Sequence, residues 1–312
     1  MDNTIIVVCG PTASGKTALA VEIAKRYGGE IISADSMQIY TDMDIASAKA
    51  TPQEQQGIPH HLLGFLDPSE EFSVADYVKL CDSTARDILS RGRVPVLCGG
   101  TGLYISSFTE NITFDDSGRD DEYREDLRRI ARQQGGGALL EMLREVDPET
   151  AQTLHENNVG RIIRALEVYK TSGHTISQAK RSSRAVPSPY RFIMLTIDYE
   201  DRAVLYERIN KRVDLMMKAG LLEEARACFS RPDRPTASQA IGCKELYPYF
   251  RGERTLDECV EELKLRTRQY AKRQMTWFRR DPRIIRITAR DGDSLCDICE
   301  RAFGVIDERL RF

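Results

Sequence analysis

An apolar segment, Thr4 to Cys9, runs directly into the eight residues GPTASGKT at 10–17, and a helical pattern follows from about Lys16 to Tyr27. A strand, a turn of the form G-x-x-x-x-G-K-[ST] and a helix, in this order, are typical of a phosphate-binding loop. The glycines let successive backbone N–H groups turn towards one anion, and the helix N-terminus adds the positive end of its dipole. The motif constrains the fold strongly, because it needs a buried strand with a helix packed beside it.

The whole loop is predicted to bind a diphosphate group. Its residues are Gly10, Pro11, Thr12, Ala13, Ser14, Gly15, Lys16 and Thr17. Lys16 supplies a positive point charge, and the hydroxyl of Thr17 is a ligand for Mg²⁺. The loop alone leaves the ligand open, because ATP, another nucleoside triphosphate and an isoprenyl diphosphate present the same β-phosphate. A chance match on a glycine-rich turn is disfavoured by the flanking strand and helix.

Short apolar runs separated by helical patterns predict the fold class. Besides the first strand, buried strands are predicted at Glu30–Ser33, Val94–Cys98, Phe192–Ile197 and Ile284–Ile287. Alternation of strands with helices predicts an α/β fold, here a core like that of P-loop NTPases with a mainly parallel sheet.

A long gap without strand signals interrupts this alternation between Phe108 and Tyr190. It contains helical patterns at Asp121–Arg132, Ala138–Glu145 and Arg161–Lys170. We therefore predict a catalytic core made of residues 1–110 and 190–312, with an inserted all-helical subdomain at 111–189.

Composition excludes several classes of protein. Hydrophobic residues make up 41% and charged residues 30% of the 312 residues, which is typical of globular proteins. Since the sequence contains neither a signal-peptide pattern nor an 18-residue apolar span, we expect a soluble cytoplasmic protein without a membrane partner. The eight cysteines are expected to be reduced. Cys296 and Cys299 form C-x-x-C, but no second pair or downstream histidine accompanies them, so a helix face is favoured over a zinc site.

Charge is distributed unevenly along the chain. Between Lys264 and Arg290 there are ten basic residues and one acidic residue, Asp281, giving +9; the net charge is −3, so the remainder carries −12. Such a block is explained by a polyanionic partner such as a nucleic acid.

Two polar residues follow the ends of predicted strands. Asp35 follows the second strand, and Thr101 lies in the glycine turn after the third. The carboxyl ends of parallel strands form the ligand crevice, so both are expected near the phosphate loop. Asp35 has the chemistry of a general base or metal relay, and capping of a following helix is the alternative. Thr101 offers a hydroxyl to the crevice, or caps a helix.

Seven segments spread over nearly the whole chain resemble the bacterial tRNA dimethylallyltransferase family. They are GPTASGKT at 10–17, SADSMQIY at 33–40, IPHHLLGFLDP at 58–68, GGTGLY at 99–104, RIIRALEVY at 161–169, QAIGCKEL at 239–246 and RQYAKRQMTWFR at 268–279. The family transfers a dimethylallyl group from dimethylallyl diphosphate to N6 of adenosine-37, beside the anticodon of tRNA, and uses Mg²⁺. The resemblance therefore implies that the loop binds a leaving group.

The resemblance also implies catalytic roles. Asp35 accepts the proton of the adenine amine, Thr101 lies between base and diphosphate, and Arg212 contacts the diphosphate, with Arg208 beside it. Arg208 and Arg212 share one face of a helix predicted at Arg202–Ala219. By spacing alone, salt bridges to nearby acids are the alternative for these arginines. Those acids are Glu207, Glu223 and Glu224.

Further residues are expected to contact tRNA. Asp35, Ser36, Met37, Gln38 and Thr101 receive the adenosine, with Gln38 hydrogen-bonding a purine edge. The resemblance adds Arg124, Gly160, Arg161, Ile162, Ile163, Arg164, Gln239, Ala240, Ile241, Gly242, Cys243 and Lys244. Many family members have a tyrosine at the position of Cys243 and a basic or polar residue at that of Gly160, so these two contacts depart from the family pattern.

A basic stripe completes the predicted tRNA surface. Lys264, Arg268 and Lys272 lie at i, i+4 and i+8 on a helix starting near Leu256. Bases late in a helix suit its dipole without a ligand, but the stripe extends beyond that explanation and favours RNA phosphates. Trp277 belongs to a separate apolar stripe and is expected in the core.

Other functions remain open from the sequence. A small-molecule kinase or an RNA-binding regulatory ATPase would share the phosphate loop, and an adenylate isopentenyltransferase would share the donor but accept a free nucleotide. The basic block and the helical insertion disfavour the last. We expect a monomer whose partners are dimethylallyl diphosphate and the tRNA anticodon stem-loop. His60 and His61 are expected to make structural hydrogen bonds rather than bind a metal.

Overall fold

A parallel sheet organises the larger part of the chain. The computed structural model describes residues 3–114, 118–184, 186–231 and 240–311. Within these ranges the strands are β1 (Thr4–Cys9), β2 (Gly29–Ser33), β3 (His60–His61), β4 (Val94–Gly99), β5 (Arg191–Tyr199) and β6 (Ile284–Ala289). Their order in the sheet is β3-β2-β4-β1-β5-β6, and all neighbours are parallel. The predicted α/β fold with a mainly parallel sheet is confirmed.

Helices connect and cover the strands. Those before the gap in strands are α1 (Lys16–Tyr27), α2 (Pro52–Gln55), α3 (Val74–Ser90) and α4 (Gly102–Thr109). Those after β5 are α10 (Arg202–Lys218), α11 (Leu221–Phe229), α12 (Tyr247–Phe250), α13 (Leu256–Phe278) and α14 (Leu295–Leu310), with a 3₁₀ turn at Lys244–Leu246. One face of the sheet packs on α1 and α14, and the opposite face packs on α3 and α4. Because both faces are covered, β1 and β4 are apolar and buried along their whole length.

The chain divides into two compact units. One consists of residues 1–108 and 189–312, and the other of residues 109–188. The second unit contains α5 (Asp121–Gln134), α6 (Gly136–Val146), α7 (Pro148–Gln152), α8 (Val159–Ser172) and α9 (Ile176–Arg184). Its own apolar core is built from Leu127, Leu139, Leu143, Ile162 and Leu166. Its described residues contain no strand, in agreement with the helical patterns in the sequence.

The shortest strand, β3, was not predicted. It pairs with β2 through only two residues, His60 opposite Ile31 and His61 opposite Ile32. Two adjacent histidines carry no strand signal, since neither apolar character nor alternation is present. The five strands that were predicted are confirmed, with β2, β4, β5 and β6 extending further than expected.

Helix α13 corrects one expectation about the core. It begins with a capping box, in which the side chains of Thr255 and Glu258 bond each other's backbone N–H groups. Trp277, however, is 41% exposed, so its placement in the core is wrong. The residue lies about 100° around the helix from buried Phe278. Its indole covers Gly102, where a Cβ atom would come within 2.3 Å of the ring.

The cysteine pair of the C-x-x-C motif lies on α14. Cys299 packs in the core and Cys296 is exposed, which confirms the helix-face interpretation. All eight cysteines are free thiols. In the described parts of the chain, no helix is long and apolar enough to cross a membrane.

Candidate active site

The phosphate loop lies at the carboxyl end of β1, as the motif predicts. Gly15 has a φ of +91°, a conformation that favours glycine, and Ala13 is also left-handed at +62°. The Nζ of partly buried Lys16 donates to the carbonyl of Pro11 at 3.3 Å. The loop thus folds around its own lysine and turns the start of α1 towards the crevice.

Two arginines of α10 approach this loop. The Nε of Arg208 donates to the carbonyl of Ala13 at 3.0 Å, and its guanidinium lies 5.6 Å from the centre of the Tyr199 ring. Arg212 makes a long contact of 3.5 Å with the carbonyl of Ala48. Neither arginine forms an ion pair with any described residue, so the pair supplies uncompensated positive charge at the site.

Within the described ranges, none of the three acids proposed as alternative partners pairs with Arg208 or Arg212, and two of them are engaged elsewhere. Glu207 pairs with Lys211 at 2.7 Å. Glu224 accepts hydrogen bonds from the backbone N–H groups of Asp44, Ile45 and Ala46. The salt-bridge explanation of Arg208 and Arg212 is therefore wrong, and an anionic ligand fits their environment better.

Charge is concentrated among partly buried side chains at the cradle. Burial lowers the pKa of Lys16, and the cation of Arg212 lowers it further. Burial also lowers the pKa of Arg212, whereas the negative charges of Glu54 and Asp35 raise it. Bringing two cations together out of water is unfavourable unless an anion joins them. A diphosphate bound between them would remove this cost.

Asp35 and Thr101 meet where the loops after β2 and β4 come together. The Oδ1 of Asp35 accepts the backbone N–H of Met37 at 3.0 Å. A turn, not a helix, follows at 36–39, so capping of a helix by Asp35 is wrong. The Oγ1 of Thr101 accepts the N–H of Ser36 at 2.9 Å, and the Thr101 N–H donates to Ala34 at 3.0 Å. These bonds fix the position of the carboxylate.

The carboxamide of Gln38 is engaged within the chain. Its Oε1 accepts from the hydroxyl of Ser33 at 2.9 Å, and its Nε2 donates to the carbonyls of Ser47 and Ala48, each at 3.2 Å. Gln38 therefore holds segment 47–48 beside the crevice. In this conformation it does not offer its amide to a purine.

A cavity of about 290 Å³ opens beside the phosphate loop. Its polar end is lined by Thr12, Lys16, Asp35 and Arg212. Its apolar wall is lined by Met37, Ala46, Ile209, Val213, Met216, Ala240, Ile241 and Leu263. The predicted base, cradle and arginine thus line one space, next to a surface that suits a hydrocarbon.

Sequence reasoning missed Gln274, which also lines this cavity. Its Oε1 accepts the N–H of Thr12, and its Nε2 donates to the carbonyl of Gly100, both at 2.9 Å. The residue is 6% exposed, and a Cβ atom on Gly100 would come within 2.3 Å of its Nε2. One signal was present in the sequence: Gln274 shares a helix face with apolar Ala271 and Phe278, and a buried amide requires partners.

Tyr270 and Arg273 also line the cavity and were not predicted in it. Burial raises the pKa of the Tyr270 phenol, and Asp35 raises it further. The phenol is therefore neutral near Asp35.

The basic stripe on α13 is uneven in the structure. Lys264 is 15% exposed and pairs with Asp214 and Glu261, each at 2.9 Å. The Nη1 of Arg268 donates to Asn210 at 2.6 Å. Lys272 forms no ion pair with any described residue. Among the described residues, Lys264 is therefore the one member of the stripe whose charge is paired with acids; Arg268 is held by a neutral amide, and Lys272 is exposed without an ion pair.

In the helical unit, arginines surround a buried carboxylate. Glu167 accepts from Arg124 at 2.6 and 2.7 Å and from Arg164 at 2.6 Å. Burial by itself would raise the pKa of Glu167, but these arginines and the Asp120 N–H lower it to about 2. Arg124 and Arg164 therefore stabilise the packing of α5 against α8.

The remaining predicted tRNA residues differ in exposure. Gly160 and Arg161 are exposed, whereas Ile162 and Ile163 are buried in the core of the helical unit. Ala240, Ile241 and Lys244 line the main cavity. Gly242 lies beside Ala46, and Cys243 is buried. Gln239 lies outside the described residues.

A second cavity, of about 20 Å³, is lined by Thr17, Asp35 and His60 among others. The Nδ1 of His60 donates to the carbonyl of Ile58 at 2.8 Å, and burial lowers the pKa of the ring. The Nε2 of His61 lies 2.7 Å from Glu30. The expected structural hydrogen bonds are present. In the described part of the chain, no group of three His, Cys, Asp or Glu side chains is arranged to hold a metal.

Comparison with known proteins identifies the family of this chain. The profile of the family described as IPP transferase matches residues 38–281, and that of isopentenyl transferase matches residues 3–64. The chain belongs to the IPP transferase family. One IPP transferase relative, the tRNA dimethylallyltransferase of Geobacillus thermodenitrificans, is 47% identical over 100% of this chain and 98% of its own length.

Two solved structures of tRNA-acting transferases share the fold. The tRNA isopentenylpyrophosphate transferase of Bacillus halodurans has a TM-score of 0.73 at 41% identity, covering 99% of this chain and 98% of that one. A eukaryotic dimethylallyltransferase acting on tRNA has a TM-score of 0.85 at 28% identity, covering 99% of this chain and 80% of that one. The IPP transferase architecture thus extends over the whole chain.

Proposed function

We propose that this chain is a tRNA dimethylallyltransferase. It transfers the dimethylallyl group of dimethylallyl diphosphate to N6 of adenosine-37, giving N6-dimethylallyladenosine and diphosphate. One observation carries the proposal: a single cavity combines a phosphate cradle, the carboxylate of Asp35 and an apolar wall. A kinase site has no need of such a wall beside its phosphate-binding arginine.

The cradle stabilises the leaving group. Breaking the allylic C–O bond places negative charge on the diphosphate, and buried donors already in position favour that charge strongly. Lys16, Arg212 and the backbone N–H groups at the start of α1 are those donors. Arg208, bonded to Ala13, keeps the cradle in shape and adds positive charge.

The oxygen donors beside the cradle fit Mg²⁺. Thr17 and Asp35 line the same small cavity, and their side chains carry the oxygen ligands that Mg²⁺ prefers. Thr17 would hold the ion directly. When bound, Mg²⁺ adds charge that favours departure of the diphosphate.

Asp35 receives the proton that the amine loses on alkylation. Its carboxylate is held by the Met37 N–H and by the loop that Thr101 fixes through Ser36, so one oxygen remains for the nucleophile. The apolar side chains of Val213, Met216 and Leu263 would contact the dimethylallyl group. By excluding water, these side chains would favour transfer of the dimethylallyl group to the amine over its hydrolysis.

The adenosine must leave its stacked position in the anticodon loop to reach this cavity. We propose that residues 35–37 receive the base and that Lys244, Lys272 and Arg273 contact the neighbouring phosphates. Arg161 would contact the stem-loop from the helical unit, while Arg124 and Arg164 keep its helix in place. The chain would act as a monomer in the cytoplasm.

The test is a transfer assay with radiolabelled dimethylallyl diphosphate and Mg²⁺. Three acceptors are offered in parallel: unmodified tRNA with adenosine-37, the same tRNA with another base there, and AMP. We expect label in the first alone. Label in AMP would indicate a nucleotide prenyltransferase, and consumption of ATP without label transfer would indicate a kinase.

A further inference from the structure

His60 has a buried nitrogen without a partner beside the phosphate loop. Among the described residues, nothing lies within hydrogen-bonding distance of its Nε2, although the atom is buried. The Nδ1 faces the carbonyl of Ile58, and a carbonyl only accepts. The proton of the neutral ring therefore resides on Nδ1, and Nε2 presents a lone pair. A buried acceptor left in this state is unfavourable, so a ligand or water is expected there.

The neighbouring histidine, His61, differs from His60 in that its Nε2 has a partner. His60 and His61 are consecutive residues of β3, so their side chains point to opposite faces of the sheet. The Nε2 of His61 is engaged by the carboxylate of Glu30 at 2.7 Å. His60, on the other face, lines the small cavity with Thr17 and Asp35. Of these two imidazole rings, only that of His60 has an Nε2 without a hydrogen-bond partner among the described residues.

The small cavity has room for one water ligand of a cation held at its edge. Its volume is about 20 Å³, enough for a single water molecule, and Thr17, Asp35 and His60 are among the residues that line it. Mg²⁺ dehydrates reluctantly and keeps several water ligands, whose hydrogens need acceptors. A neutral imidazole nitrogen at the edge of the cavity is such an acceptor.

We propose that His60 is a positioning residue for the divalent cation held by Thr17, and that its Nε2 accepts a hydrogen bond from one water ligand of that cation. The inference rests on the proposed function in one respect, namely that a cation accompanies the diphosphate. His60 does not touch the reacting atoms. It orients the water shell, and through it the cation, against the cradle.

The first experiment measures Mn²⁺ binding by electron paramagnetic resonance, with and without inorganic diphosphate. His60→Asn is the informative variant, because its amide nitrogen can still donate to Ile58 while the acceptor at the Nε2 position is removed. We expect about a tenfold loss of Mn²⁺ affinity in the presence of diphosphate. His61→Asn is the matched control and should bind Mn²⁺ like the wild type. Binding of diphosphate without metal should be the same in all three proteins.

Equal Mn²⁺ affinity in the wild type and His60→Asn would overturn the role of His60 while leaving the cation site standing. Failure of diphosphate to strengthen Mn²⁺ binding in the wild type would overturn both, whereas the transfer assay tests prenylation separately. A second measurement needs no variant. In ¹⁵N-histidine spectra, we expect the Nε2 resonance of His60 to move when Mg²⁺ and diphosphate are added together, and a resonance that stays in place contradicts the proposal.

Discussion

The arginines of the cavity and those of the helical unit differ in what neutralises them. Arg208 and Arg212, four residues apart on α10, contact only backbone carbonyls and an aromatic ring, with no ion pair among the described residues. Arg124 and Arg164 converge on the buried carboxylate of Glu167. Arginine spacing on a helix therefore does not reveal function. The presence or absence of an acid at the guanidinium separates a ligand-binding arginine from a structural one.

Replacing one arginine of each region by glutamine should have opposite effects on catalysis and on thermal stability. Arg212→Gln is expected to lower kcat/KM for dimethylallyl diphosphate by about 10² to 10³, because a donor to the developing charge is lost. Its melting temperature should not fall, since a buried cation without an acid partner is removed. Arg124→Gln should lower the melting temperature and leave kcat within about threefold of the wild type. Kinetics below the melting transition and calorimetry check both, and a large loss of kcat in Arg124→Gln would break the comparison.

The same contrast applies to the carboxylates. Asp35 has no ion pair among the described residues and faces the cavity, so Asp35→Asn should reduce kcat by about 10² or more through loss of the general base. Binding of tRNA, measured by filter retention, should be nearly unchanged. Turnover close to that of the wild type would exclude Asp35 from proton transfer.

Acid should affect the helical unit through Glu167. Its pKa is about 2 in the folded chain, below the ordinary value of 4.5, so the carboxylate stabilises the fold above pH 4.5. This contribution is lost as the pH falls from 4.5 towards 2. We expect Glu167→Gln to cost about 2 kcal/mol at neutral pH, intermediate between exposed and buried pairs. Its stability should also vary less with pH over this window, as followed by acid unfolding in circular dichroism.

The smallest effects are expected for two lysines of α13, one without and one with acidic partners among the described residues. Lys272→Ala should weaken tRNA binding a fewfold and reduce the slope of log K against log salt by about one, as for one lost phosphate contact. Lys264→Ala should leave the slope unchanged, because Asp214 and Glu261 already hold this lysine. An equal change in both variants would show that an intramolecular ion pair does not remove a lysine from the RNA surface.

Local patterns allowed much of the fold to be predicted. The apolar run of β1, the glycine-rich loop and α1 follow one another directly, so their signals reinforce each other. The other four predicted strands were also found from a local signal, namely a short apolar run in the sequence. Strand β3 was missed because its two histidines pair only with the already formed edge of β2, a contact that no local pattern encodes.

The site was predictable only where a motif carries its own chemistry. Lys16, Thr17 and Asp35 follow from loop and strand-end rules. Gln274 does not, because its partner Gly100 is 174 residues away in sequence. The absence of a Cβ atom at Gly100 matters only because it lets the Gln274 amide come close. The exposure of Trp277 was missed similarly, since its contact with Gly102 depends on how α13 meets the second glycine turn.

The bonds of Gln274 have a thermodynamic consequence. One carboxamide on α13 joins the Thr12 N–H of the phosphate loop to the loop after β4, and the same helix carries Lys272 and Arg273. Any displacement of α13 by RNA would therefore be transmitted to the donors that face the diphosphate. Such coupling would be reciprocal by linkage: the factor by which RNA changes the affinity for the prenyl donor must equal the factor by which the donor changes the affinity for RNA. A single side chain would thereby make the two substrates heterotropic effectors of each other.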